Sequence, residues 1–172
     1  MVTTRERYVA ALTDLYDVEQ QVLRELPLLA AGSTSSDLRD IFDEHYRQTQ
    51  RHAERLEALF RHLDERPHGD GCLALRAMIE EARIRNNRIA RGAALDAALI
   101  AVARRIEQYE IGGYRSARTY AEQLLDLSGA DMLKETLLEE DGMDSRLIAL
   151  STAGGGHEAA NRWQPSTALK AS

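Results

Sequence analysis

The sequence predicts an all-α protein, a four-helix bundle whose long crossover carries an additional helix. Three observations carry this reading. The 172 residues are 44% hydrophobic and 29% charged, enough apolar material for one sizeable core in a single domain. Only three prolines interrupt a chain rich in Ala, Leu, Arg, Glu and Gln and poor in aromatic residues, a balance that favours helix over strand. Apolar positions then recur at steps of three and four along four long segments, the period of one helix face.

The first segment runs from Arg5 to about Ala31, with Leu12, Tyr16, Val22, Leu23 and Leu26 on its stripe. Gly32 closes it, and the "STSSD" that follows supplies an N-cap for the second, about Asp37 to Asp64, whose stripe holds Leu38, Ile41, Phe42, Leu56, Leu59 and Leu63. "ERPHGDG", 65–71, is a break. A shorter helix of about 20 residues, 72–91, carries Leu75, Met78, Ile79 and Ile89 up to Gly92. At ~1.5 Å per residue it spans roughly 30 Å, long enough to travel back along a bundle. The third main helix covers about 94–127 through Leu99, Ala103, Ile106, Tyr114, Ala117, Ala121 and Leu124, with "SG" at 128–129 as its stop. The fourth, about 130–150, carries Leu133, Leu137, Leu147 and Leu150. One long crossover between the second and third main helices suits the ferritin-like arrangement better than an up-down-up-down bundle with short loops. The bundle thus occupies residues 1–150, and 151–172, with its Gly triplet and no periodicity, reads as a tail.

Several inward steps are polar. They are Glu19 on the first helix, His45 and Gln48 with His52 on the second, Glu107 and Glu110 on the third, and Glu140 and Asp144 on the fourth. Each lies near the middle of its helix, so helices aligned by their midpoints bring them toward one layer. Several carboxylates cannot all stay ionised in an apolar core, because desolvation and mutual repulsion both penalise the charged form. Shared protons, inward arginines or metal ions are the available compensators. Carboxylate with imidazole suits iron, manganese or zinc. Taken singly, any one of these acids is as well explained by a surface face judged a few tens of degrees off; the case rests on all four helices together. His52 reads as a supporting or surface histidine, and His62, His68 and His157 as solvated.

Other features carry less. "RIRNNRIARG", 83–92, gathers arginine on the crossover and reads as a solvated face. Gly112 and Gly113 inside a helix suggest close helix approach or room beside the polar layer. Tyr114 reads as a packing residue. A net charge of -6 argues against a nucleic-acid partner. No apolar run reaches the roughly 20 residues of a membrane helix. Cys72, the single cysteine, cannot pair within the chain, and no signal leader opens the sequence, so a reducing cytoplasm is the expected compartment.

The segments "LTDLYDVEQQVLRELPLLA", "DIFDEHYRQTQRHAERLEALF", "LDAALIAVARRIEQYEIGGYRSARTYAEQL" and "MLKETLLEEDGMDSRL" resemble the YciF/YciE-type ferritin-like bacterial stress proteins over about residues 5–150. The resemblance implies a rubrerythrin-like bundle that associates as a homodimer, a dinuclear metal centre and a link to stress responses. It supports Glu19, His45, Glu107, Glu110, Glu140 and Asp144 as ligands, each matching the family's residue type. It also shows departures. Where relatives have an acid in "H-x-x-E", this chain has Gln48, a weaker ligand; where they have the histidine of "E-H-Y-E", it has Gln108, off the inward face; and Arg76 replaces an acid near the start of the crossover helix.

Three functions remain open at this point. One is a ferritin-like protein holding one or two iron or manganese ions and acting on dioxygen or peroxide under stress. The second is a metal-free helical stress or scaffold protein whose polar layer sets register. The third is a cargo protein docked to a partner through the tail ending "PSTALKAS".

Overall fold

The computed structural model describes residues 1–67 and 71–162, the side chains of 153–162 excepted. The readings of His68, of the His157 side chain and of the peptide at the chain's end lie outside the described residues. The described residues form five helices, α1 (Thr4–Gly32), α2 (Ser36–His62), α3 (Leu73–Asn86), α4 (Ala93–Gln123) and α5 (Leu127–Arg162). The helices α1, α2, α4 and α5 make the bundle, and α3 lies in the crossover between α2 and α4.

Local chemistry sets the ends. Thr3 caps α1 through a capping box with Glu6, and Ser35 caps α2 by accepting from Leu38 N. The α1–α2 turn is fastened to the first turn of α4, where Asp96 accepts from Thr34 N at 2.7 Å and Ser35 N at 3.0 Å. At the crossover, Asp17 accepts from Gly71 N at 3.0 Å and Gln21 Nε2 donates to the Cys72 carbonyl at 3.2 Å.

Three boundaries differ from the sequence reading. The crossover helix has 14 residues, about 21 Å, because the chain leaves the helix at Asn87. Ser128 and Gly129 do not stop α4 but lie in the first turn of α5. The break is at Leu124–Asp126, where Leu125 takes a positive φ of 58° and the Asp126 carboxylate accepts from Gly129 N at 2.9 Å. Finally, α5 continues past Leu150 to Arg162. Its Gly triplet weakens a helix by about 1 kcal/mol per residue but does not forbid one, and the first following proline is Pro165.

The core falls into two apolar clusters stacked along the bundle. One gathers Val22 and Leu26 of α1, Leu38 and Phe42 of α2, Leu99 and Ile106 of α4, and Leu147 of α5. The other gathers Tyr8 and Leu12, Leu56 and Phe60, Tyr114 and Ala117, and Leu133. On α2 and α4 the chain passes from one cluster to the other through the polar residues singled out above, on α5 it does so through Glu140, and on α1 Glu19 lies just past the change between Leu15 and Val18. The midpoint alignment inferred from the sequence is therefore the actual one.

The two helical glycines differ in purpose. A Cβ on Gly113 would stand 2.7 Å from Leu15 Cδ2, so this glycine lets α1 approach α4, whereas a Cβ on Gly112 would meet nothing within 4 Å. Gly112→Ala is therefore expected to stabilise the fold by about 1 kcal/mol, or roughly 2–4 °C in Tm by thermal melting. Gly113→Ala should forfeit that gain to the clash with Leu15.

Candidate metal centre

Glu19 comes from α1, His45 and His52 from α2, Glu107 and Glu110 from α4, and Glu140 from α5, all at most 1% exposed. Helix spacing explains the convergence. Positions 45, 49 and 52 share one face of α2, and 107 and 110 share one face of α4. His45, Glu107, Glu110 and Glu140 each offer a ligand atom within 4.8 Å of the others, and Glu19, His52 and Glu140 do the same. Glu140 belongs to both groups, so two ion positions would lie side by side.

The internal distances are short. His45 Nδ1 stands 3.2 Å from Glu107 Oε1, and His45 Nε2 3.9 Å from Glu140 Oε2. His52 Nδ1 stands 2.9 Å from Glu140 Oε1 and 3.7 Å from Glu19 Oε1. Proximity is not satisfaction, however. Glu19 Oε2, both His45 nitrogens, His52 Nδ1 and both oxygens of Glu107, Glu110 and Glu140 are sealed from water, and none has a partner in hydrogen-bond geometry. Buried polar atoms are normally paired, and such a concentration of donors and acceptors demands an account.

The rest of the layer is ordered from outside. Tyr114 OH donates to Glu19 Oε1, so the tyrosine does more than pack. His52 Nε2 is 2.8 Å from Glu139 Oε2, and Arg55 clamps that carboxylate through Nη1 at 2.5 Å while reaching Glu135 through Nη2 at 2.6 Å. The second nitrogen of His52 is thus held by a carboxylate, the usual way of orienting a metal-binding imidazole.

Two candidates stand apart. Asp144 is not brought to the group: Arg104 Nε and Gln108 Nε2 each donate to it at 2.8 Å, drawing it toward the rim. Gln48 is half-buried, its Oε1 shielded and unpaired, while the fully buried neighbour three residues before His52 is Thr49, also without a side-chain partner. The sequence reading understated His52, although its seven-residue spacing from His45 was a visible sign. Glu139 carried no separable signal beside Glu140.

Without a cation the layer balances its charge by protonation. Burial, then the neighbouring Glu140, pushes Glu107 and Glu110 well above the usual carboxylate range, and burial chiefly raises Glu19 as well. Burial also opposes charge on Glu140, but His52 and His45 outweigh it and hold this one carboxyl below its ordinary value. Burial lowers His45 to about 4. It acts the same way on His52, where contact with Glu140 and the charges of Glu140 and Glu19 win and set the imidazole at about 9. The metal-free layer is thus one ionised pair, Glu140 with His52, among neutral groups.

A family described as a domain of unknown function (DUF892) matches residues 3–160. The chain belongs to this family. It is 32% identical to Protein YciF of Escherichia coli (strain K12) over 163 residues, 94% of this chain and 98% of that protein. The crystal structure of the E. coli stress protein YciF superposes with a TM-score of 0.85 at 32% identity, covering 91% of this chain and 99% of that one. YcfI of Rhodopseudomonas palustris does so at 0.82 and 33% identity, covering 86% and 94%. A ferritin-like, diiron-carboxylate protein of Bacillus anthracis shares the fold at a TM-score of 0.68 and 17% identity, covering 88% and 99%. The resemblance read from the four helix segments and the ferritin-like fold both hold. Among the described residues, no helix is long and apolar enough to cross a membrane.

The candidate ligand set of this DUF892 chain departs from the usual bundle-core pattern, in which two helices give a Glu each and two give Glu-x-x-His. Here the α2 motif reads Thr49-x-x-His52 and the α5 motif reads Glu140-x-x-Met143. Both histidines of the group come from α2, two turns apart, and α4 contributes two glutamates.

Proposed function

We propose that this protein holds a pair of iron or manganese ions in the middle of its bundle and acts in stress defence on dioxygen or peroxide. The single observation that carries the reading is the set of sealed carboxylate and imidazole atoms without hydrogen-bond partners converging from all four bundle helices, of which only His52 Nδ1 and Glu140 Oε1 are matched as an ion pair. Their chemistry fits: oxygen and imidazole nitrogen donors suit iron and manganese, and the ionised forms of Glu19, Glu107, Glu110 and Glu140 carry the charge of two divalent cations. His45, Glu107 and Glu110 would hold one ion, Glu19 and His52 the other, and Glu140 both. A bound pair would supply electrons to an oxidant or withdraw them from a reductant.

The remaining residues prepare and protect that centre. Tyr114 fixes the Glu19 carboxyl, the Glu139–Arg55 pair fixes the His52 ring, and the two apolar clusters exclude water from either side. Kinship with a protein described as a stress protein supports the physiological setting. A cytoplasmic homodimer, expected from the sequence resemblance, belongs to the same proposal, and sedimentation at micromolar concentration tests the dimer.

Metal analysis tests the centre itself. Protein purified without chelator is expected to carry about two ions per chain, with iron, manganese and zinc all quantified. Glu19→Ala and Glu110→Ala strike different groups, so each should lower the content to about one. Substoichiometric metal indifferent to both substitutions would leave the layer a metal-free structural device.

A further inference from the structure

The outer face of α1 is complementary to itself. Arg7, Ala10, Ala11 and Asp14 occupy positions i, i+3, i+4 and i+7, so they share one side of the helix, with a cation at one end, an anion at the other and two small residues between. They form one wall of an open groove of about 770 Å³ between α1 and α4, with Gly112 and Ser116 on the opposite wall. Arg7, Ala10 and Asp14 are exposed. Other arginines of the surface have carboxylate partners, as Arg5 has Glu65 at 2.9 Å and Arg83 has Glu25 at 2.7 Å. The side chains of Arg7 and Asp14 have no such partner among the described residues, and two helical turns, about 10.5 Å, separate them from each other.

The order of these charges selects the occupant. A uniformly acidic or basic partner would meet its own sign at one end of the face. A second copy of the chain meets the opposite sign at both. When a twofold axis passes between Ala10 and Ala11, antiparallel copies of α1 set Arg7 against Asp14 of the partner subunit and Asp14 against the partner's Arg7, the reciprocal contact that an isologous interface requires. Alanines at the crossing allow helix axes to approach to roughly 8 Å, which brings the charged ends within reach. We propose that two copies of this protein join through this face, α1 against α1, with a pair of Arg7–Asp14 contacts across the axis. The assignment rests on the homodimer proposed above and names its surface.

Sedimentation equilibrium on the full chain tests this with Arg7→Asp, with Asp14→Arg and with an equal mixture of the two. Each variant alone opposes like charges at both ends of the face, and its dimer dissociation constant is expected to rise at least about tenfold. Mixing should reverse the loss, because the anionic face of one variant then meets the cationic face of the other and a heterodimer forms. The double variant, which exchanges the two charges, should associate like the wild type. Should either single variant not fold, Ala10→Glu, which sets a carboxylate of each copy beside the axis, takes its place and should weaken the dimer as well. A wild-type dimer that no substitution weakens, or folded variants that stay apart on mixing, would overturn this face and leave the dimer standing. A wild-type chain that is monomeric at every concentration would overturn both. Metal content is expected to be the same in every variant, so the outcome is independent of the metal reading.

Discussion

Glu140→Gln is expected to cost the protein both ions at once, where Glu19→Ala or Glu110→Ala costs one. The reason is geometric: Glu140 is the residue common to the two groups whose ligand atoms converge within 4.8 Å. Glutamine keeps the volume of the side chain, so the two apolar clusters stay in register, but it removes the shared negative charge and one strong donor. Loss of a residue that only supports a ligand typically costs ~10–100-fold in metal affinity, and loss of a shared ligand should exceed the upper figure, roughly 100-fold at each position. The measurement is metal per chain after dialysis against buffered free Mn²⁺ or Fe²⁺. A second consequence appears without metal. Glu140 leads Glu19 and Glu139 in raising the His52 imidazole to about 9 against burial, so the substitution should lower that value, visible by NMR titration of the ring. Retention of one full ion by the glutamine variant would show that the two groups do not share a ligand.

How much of this was legible beforehand varies with the kind of interaction involved. Helix number, order and the crossover followed from apolar periodicity, because burying one face is a local property of the chain. The α4–α5 boundary did not, since Ser128 and Gly129 look like a stop until Asp126 is seen accepting from Gly129 N. The polar layer was legible for the same reason as the core: inward steps at Glu19, His45, Glu107, Glu110 and Glu140 share the period of their neighbours. Asp144 has that period too, four residues beyond Glu140. It is drawn away by Arg104 and Gln108, and such a contact between α4 and α5 leaves no trace in either segment alone. His52 was undervalued for a related reason. On α2 the polar steps 45, 48, 49 and 52 straddle the stripe, and only packing against α1 and α5 shows that 45, 49 and 52 face inward while Gln48 is half-buried.

The same burial that makes the layer a candidate site predicts different pH responses for the two forms of the protein. In the metal-free form, Glu19, Glu107 and Glu110 have folded pKa values raised above the ordinary 4.5, and His52 is raised from 6.5 to about 9. A group raised on folding contributes stability fully below its unfolded value and loses it as pH climbs through the folded one. From pH 6.5 to about 9 these groups therefore all act in one direction. His45, lowered to about 4, costs stability only below 6.5, outside this window. Metal-free protein is accordingly expected to melt at progressively lower temperature across that range. Metal-loaded protein should hold a nearly level melting temperature, because above pH 6.5 the glutamates and His52 are deprotonated both around the ion and in the unfolded chain, and the affinity that grows with pH offsets what the metal-free fold loses. The two melting curves should diverge as pH rises, and the difference should vanish in Glu140→Gln. Parallel curves would mean that protons and metal do not compete for these side chains, which the shared, sealed geometry of Glu107, Glu110 and Glu140 does not permit if the ion sits among them.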